Sequence, residues 1–262
     1  MNLIRKFLST AAMEANGSAG ENSYFIVRFV FRILRVIVLL SVWRAIFAAK
    51  PQVLEQPIEV ILTYTLIAEI FAEQLSPRTN IEWTLFDGGI AMHYLQPMGL
   101  ALQFAARMVG RWLLGLALTS LPLLLLSPLL GVSVLPANMS AAPLFLLSLT
   151  LSAVLGVALD FVFAGLIVFM QGSAYVTGLV RVAIATLLSG AVLPLSVLPY
   201  GLGEVFQWLP FASTASAPLR IYTGDGQPMV LLVAQLIWGV ILWILANWLW
   251  RVNRERFVSY GG

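Results

Sequence analysis

Between Trp112 and Leu159 the chain carries no charged side chain, a run of about 48 residues. About 20 apolar residues suffice to cross roughly 30 Å of hydrocarbon at 1.5 Å of helical rise each, so the run is too long for one crossing. Its middle, residues 131–143, holds the turn formers Gly131, Pro136, Asn138 and Pro143. Two spans are therefore predicted, about Leu100–Leu129 and Leu144–Met170, both long enough to tilt. Composition extends the argument to the whole chain. Hydrophobic residues make up 60% of the 262 and charged residues 10%, against roughly 45–50% and about 25% in soluble globular proteins. Fifteen Lys and Arg with twelve Asp and Glu cannot coat a 28.7 kDa body in polar surface. Lipid is the solvent for most of the molecule.

Four further spans complete the reading: about Ile26–Phe47, Ile58–Leu75, Val176–Val192 and Met229–Trp250, the last closing on Trp243, Trp248 and Trp250 as an interfacial belt. The first is interrupted by Arg28, Arg32, Arg35 and Arg44, and the second by Glu69 and Glu73. The expected fold is all-α, a polytopic membrane protein of six transmembrane helices. Cationic residues set its orientation. Arg5, Lys6, Arg28, Arg32, Arg35, Arg78, Arg251, Arg254 and Arg256 fall on one side, and only Arg44, Lys50 and Arg220 on the other. Both termini are thus expected in the cytoplasm, with the chain in the plasma (inner) membrane. The apolar stretch Ile4–Phe7 is too short for a cleaved signal and is followed by Glu14 and Glu21. Residues 1–23 read as a cytoplasmic or surface-lying segment, 24–258 as the membrane domain and 259–262 as a short tail.

Several chemistries are excluded at once. Cysteine is absent and His93 is the single histidine, which removes thiolate chemistry, Cys-ligated metals, bis-histidine haem and zinc boxes. The two lysines, Lys6 and Lys50, lie in no G-x-x-x-x-G-K-[ST] loop. The chain has no nucleotide site or cofactor of its own, and no set of catalytic residues assembles. Arg28, Arg32 and Arg35 recur at helical spacing and read as an anchor for anionic lipid rather than a nucleic-acid surface.

Ionisable groups inside spans are costly and usually paired. Glu69 and Glu73 are four residues apart, as are Arg107 and Arg111, so each pair shares a helix face. A ladder between the two pairs is expected, either as a brace or as a gating or head-group contact. Asp160 has no partner close in sequence; Arg181 and Arg44 are its candidates.

Two segments between spans are distinctive. Thr79 and Glu82 have capping-box spacing, Ile81 and Leu85 with Trp83 or Phe86 give an amphipathic face, and Gly88 and Gly89 follow Asp87. A short helix is predicted there, resting on lipid head groups or docking into a soluble partner. In 188–211, Pro194, Pro199 and Pro210 with Gly190, Gly201 and Gly203 forbid a continuous helix, yet the stretch is too apolar for an aqueous loop. It is expected to dip back into the outer leaflet. Leu202, Val205, Phe206 and Leu209 share one face, which predicts a short interfacial helix over Tyr200–Leu209.

The spacing of Ile81, Phe86-Asp87-Gly88-Gly89, Leu95 and Pro97, together with Ser189-Gly190, Pro194-Leu195-Ser196, Pro199 and Leu209-Pro210-Phe211, resembles the ABC type-2 exporter permeases, in the six-span branch that pairs with a separate ATPase. The resemblance covers about Tyr24–Val258. It implies that Thr79–Asp87 is the coupling helix, with Gly88 at its end, and that Gly190 and Pro194–Pro210 form the outer re-entrant gate. It also implies two ATPase subunits, which bring ATP and Mg, and a second permease, identical or homologous. An apolar cavity with aromatic ends suits a hydrophobic or amphipathic cargo such as a drug, a peptide or a lipid-linked sugar. The rival expectation is an ion-coupled or passive carrier using Glu69, Glu73 and Asp160, for which the halves would show an internal repeat; none is evident.

Overall fold

The computed structural model describes residues 2–20, 25–49, 56–253 and 256, and every regular element among them is helical. Lys50, Arg254 and the tail 259–262 lie outside the described residues. In chain order the helices are α1 (Leu3–Gly20), α2 (Phe25–Ala49), α3 (Ile58–Ile70), α4 (Ala72–Leu75), α5 (Ile81–Phe86), α6 (Ile90–Tyr94), α7 (Leu100–Gly115), α8 (Leu121–Leu126), α9 (Ala141–Met170), α10 (Ala174–Leu188), α11 (Leu202–Phe206), α12 (Ala212–Thr223) and α13 (Pro228–Val252).

Among the described residues three helical runs are long and apolar enough to cross a membrane: Leu100–Leu130, Ala141–Met170 and Pro228–Val252. The first is continuous but not uniform. A π turn over Leu116–Ser120 joins α7 to α8, and a 3-10 turn over Ser127–Leu130 ends the run. Pro122 has no N–H to give to the carbonyl one turn back, and the wider π turn ahead of it accommodates that gap. α9 is the centre of the fold. It is apolar on all faces and buried along most of its 30 residues, as a helix surrounded by other helices must be. α12 and α13 pack along it, and α5 and α10 meet its C-terminal half.

The other three predicted spans are less regular. α2 is long enough, at 25 residues, but carries four arginines. The predicted second span is two helices, α3 and α4, broken at Phe71 with φ −102° and ψ 24°. There the Ser120 hydroxyl donates to the Ile70 carbonyl at 2.6 Å, so an acceptor at the break is satisfied by the π turn of the next run. α10 ends at Leu188, short of the predicted Val192, because Gly190 turns the chain with φ +76°.

Besides the short α6, two helices among the described residues lie where no helix is predicted. The lead-in forms α1, which runs against α7 so closely that a Cβ on Gly110 would lie 2.3 Å from the Ala11 carbonyl oxygen. α12 is built from small residues, Ala212 to Ala217, with Pro218 inside it, and is buried through most of its length. A cluster of amide and hydroxyl groups fixes α12 between α9 and α13. Gln235 Nε2 donates to the Ser213 carbonyl at 2.7 Å and the Ser148 carbonyl at 3.1 Å, while Ser148 Oγ donates to Gln235 Oε1 at 2.9 Å. In an apolar bundle such side chains hold helices together where hydrophobicity alone gives no preference.

Candidate coupling site and its clamp

The chain between α4 and α5, residues 76–80, is irregular backbone packed against apolar helices, so its polar groups need internal partners. They find charged ones. Pro77 lies on α9 at Gly156, where a Cβ would approach the proline Cγ to 2.2 Å. Arg181 of α10 donates from Nη2 to the Pro77 carbonyl at 2.9 Å. Arg111 of α7 donates from Nη2 to the carbonyls of Arg78 and Thr79 at 3.1 and 3.3 Å. Asp160 of α9 accepts from both the backbone N–H and the hydroxyl of Thr79, the latter at 2.8 Å, through one oxygen. Its other oxygen is in ionic contact with Arg181 Nε, with side-chain exposures of 1% and 5%. One carboxylate and two guanidiniums thus bind a five-residue linker to three helices.

Asn80, in the left-handed conformation at φ 61°, then turns the chain into α5. The inward face of α5 carries Ile81 and Leu85, both buried, in a core shared with Phe104, Leu155 and Ile167. Glu82 is also buried and pairs with Arg78. The outward face carries Trp83 and Phe86, 46% and 57% exposed, together with exposed Asp87. Trp83 packs edge-on against Phe86 and against Tyr175 of α10, with ring centroids 6.0 and 5.9 Å apart. Gly88, at φ +70°, ends the helix as the sequence predicts, and its N–H reaches the Leu85 carbonyl at 3.2 Å.

Two expectations are corrected. The capping box is not formed: no side chain caps α5, because the Thr79 hydroxyl is bound to Asp160 and Glu82 is bound to Arg78. The ladder between Glu69/Glu73 and Arg107/Arg111 is not formed either. Glu69 pairs with Arg35 at 3.1 Å and Glu73 with Arg32 at 3.5 Å, because α2 and not α7 lies along α3. Arg111 instead pairs with Glu14 of α1 at 3.0 Å, and Arg107 makes no ion pair among the described residues. Of the two candidates for Asp160, Arg181 is the partner; Arg44 donates to the Leu130 carbonyl at 2.8 Å.

The second distinctive segment keeps its prolines outside the α-helices. A 3-10 turn over Leu195–Val197 follows Pro194, and the predicted helix over Tyr200–Leu209 shrinks to α11. Pro194 and Pro199 contribute only carbonyls, which accept from Val197 and Leu202 at 3.1 and 3.3 Å. Leu209 closes a last turn on Phe206 at 3.0 Å, directly ahead of Pro210 and α12. The Gly190 carbonyl accepts from the Tyr64 hydroxyl at 2.8 Å and the Ser189 carbonyl from the Ser216 N–H at 2.9 Å. Glu14, Tyr175 and Gln235 are contributors that no sequence pattern singles out. Gly156 and Asp160 carry a usable signal, since they stand four apart on one face of an apolar helix.

The chain thus combines three apolar helices of membrane-crossing length, among the described residues, with a short, clamped helix that exposes aromatic side chains. The model of the family described as ABC-2 family transporter protein matches residues 27–261, and the chain belongs to that family. It is therefore a membrane domain of the ABC transporter class, which works with an ATPase. No curated protein matches the chain.

Proposed function

We propose that the chain is one of two permease subunits of an ATP-driven exporter, identical or homologous, each taking a separate ATPase subunit at α5. In this reading α2, the α3–α4 pair, α7–α8, α9, α10 and α13 are the six spans. Both termini face the cytoplasm at the plasma (inner) membrane, and residues 190–210 form the outer re-entrant gate. The observation that carries the proposal is the division of labour in residues 77–87. The outward face of α5 offers Trp83 and Phe86 to a partner, while the linker ahead of it is clamped to α7, α9 and α10. A push on α5 is then transmitted to three helices instead of being absorbed by a slack loop. ATP and Mg act in the partner, and the coupling helix carries the resulting motion into the membrane. The carrier reading is supported less well, since it needs carboxylates open to a cargo ion and Glu69 and Asp160 are both engaged by arginines.

The test is reconstitution with a candidate ABC ATPase subunit from the same organism. Replacing Trp83 and Phe86 together by Ala removes the exposed aromatic anchors that dominate such interfaces. ATPase co-purification should fall by about tenfold or more, with the permease still folded because Ile81 and Leu85 remain. Undiminished co-purification and undiminished ATP-dependent export by the double variant would overturn the assignment of α5.

A further inference from the structure

A cavity of about 770 Å³ opens between α1, α2 and α7, beside the linker that precedes α5. Arg28 and Arg32 of α2, Arg78 of the linker and Arg111 of α7 line it, and Glu73 is the single carboxylate on its wall among the described residues. The rest of the lining is mixed, with Trp112 and Leu118 as apolar surface. Two of the arginines, Arg32 and Arg78, are held by groups that leave donors over. Arg32 meets Glu73 at 3.5 Å and Thr119 Oγ1 at 3.3 Å, both long contacts. Arg78 has a buried Nε without an acceptor. Glu82 and Glu14 balance Arg78 and Arg111 from behind, but among the described residues the lining itself sets four guanidiniums against one carboxylate, and an anion in the cavity meets that local excess of positive charge.

We infer that this cavity takes the phosphate group of an anionic amphiphile, with the apolar part of the molecule lying along Trp112 and Leu118. A guanidinium presents a fork of N–H donors that matches phosphate oxygens, and a phosphate has enough oxygens to engage several such forks where a carboxylate satisfies two at most. The volume fits a head group with the start of its chains. The inference deepens the permease reading by naming a cargo class, and it rests on that reading only in treating the bound molecule as cargo.

The purified full chain, without an ATPase, is titrated in detergent with dioleoylphosphatidic acid, with dioleoylphosphatidylcholine and with inorganic phosphate, and binding is read by native mass spectrometry. Phosphatidic acid should bind about tenfold or more tightly than phosphatidylcholine. The Arg28→Gln/Arg32→Gln variant should lose that margin, and Arg28→Lys/Arg32→Lys should keep most of it. Arg251→Gln, which removes a charge outside the cavity, should bind as the parent does. Helicity by circular dichroism and a monodisperse elution show that each variant is folded. Undiminished phosphatidic acid binding by the folded Gln variant, or no preference between the two lipids, overturns the site. Full displacement of phosphatidic acid by an equal concentration of inorganic phosphate makes the ligand a free anion and overturns the amphiphile. Because no ATPase is present, a failure of coupling at α5 leaves this result untouched, and the reverse also holds.

Discussion

The irregular backbone of residues 76–80 is held by charge, whereas that of residues 189–211 and the helix after it is held by neutral groups. At the first, Asp160, Arg181 and Arg111 supply three polar side chains that together satisfy one N–H, one hydroxyl and three carbonyls. At the second, the Tyr64 hydroxyl and the Ser216 N–H each satisfy one carbonyl, and the Gln235 amide donates to the Ser213 and Ser148 carbonyls and to Ser152 Oγ. Both solutions meet the same demand, since backbone in an apolar setting must be hydrogen-bonded. They differ in how much is lost with one member. A missing neutral donor leaves one carbonyl short, but a missing counterion leaves a whole buried charge behind. The charged clamp is the stiffer device, and it sits where the proposed coupling needs a rigid connection.

The largest effect is therefore expected at the clamp. Asp160→Ala leaves Arg181 buried and uncompensated and strips Thr79 of its acceptor, at a cost of about 3–5 kcal/mol. Thermal unfolding of the solubilised protein should shift down strongly, or the yield of folded protein should collapse. Asp160→Ala/Arg181→Met, which removes both charges, should recover a good part of that loss. An unaltered single variant, or a double variant worse than the single, would show that charge is not what holds the linker.

An intermediate effect is expected at the neutral cluster. Gln235→Leu leaves the Ser213 and Ser148 carbonyls without the amide, which costs about 1–3 kcal/mol for an unsatisfied buried group and less where the serines repair their own bonding. Unfolding midpoints of Gln235→Leu and Asp160→Ala, measured side by side, give the ranking directly. Equal shifts would erase the distinction between the two regions.

How much of this the sequence reveals depends on whether the signal is local. Charge-free length places the long spans within a few residues, and Gly88 and the prolines mark where helices stop. Partner choice is not local. Glu69 and Glu73 share a face, but arginines at helical spacing stand on both α2 and α7, and nothing in the chain says which helix lies opposite. Arg32 and Arg35 take the glutamates through packing that only the fold decides. Thr79 misleads for the same reason: a nearby Glu82 suggests a cap, while the stronger acceptor, Asp160, lies 81 residues away. α12 is invisible because Ala, Ser and Thr carry no apolar period, although such small residues are what close packing between helices in lipid requires.

The smallest effect should come from Tyr64→Phe, which deletes one hydroxyl and keeps the ring in its buried place. The Gly190 carbonyl then loses its donor, while the adjacent Ser189 carbonyl keeps the Ser216 N–H. Single hydrogen bonds between helices in membrane proteins average about 0.6 kcal/mol, so the unfolding midpoint should move by only a degree or two. The change belongs instead in local dynamics. Amide hydrogen exchange over residues 189–197 should quicken while exchange in α9 stays as it was, since one weak tie loosens its own turn without opening the bundle. A midpoint shift as large as that of Gln235→Leu would mean that the Gly190 turn is a principal anchor, and the contrast between a stiff clamp and a lightly tied segment would have to be abandoned.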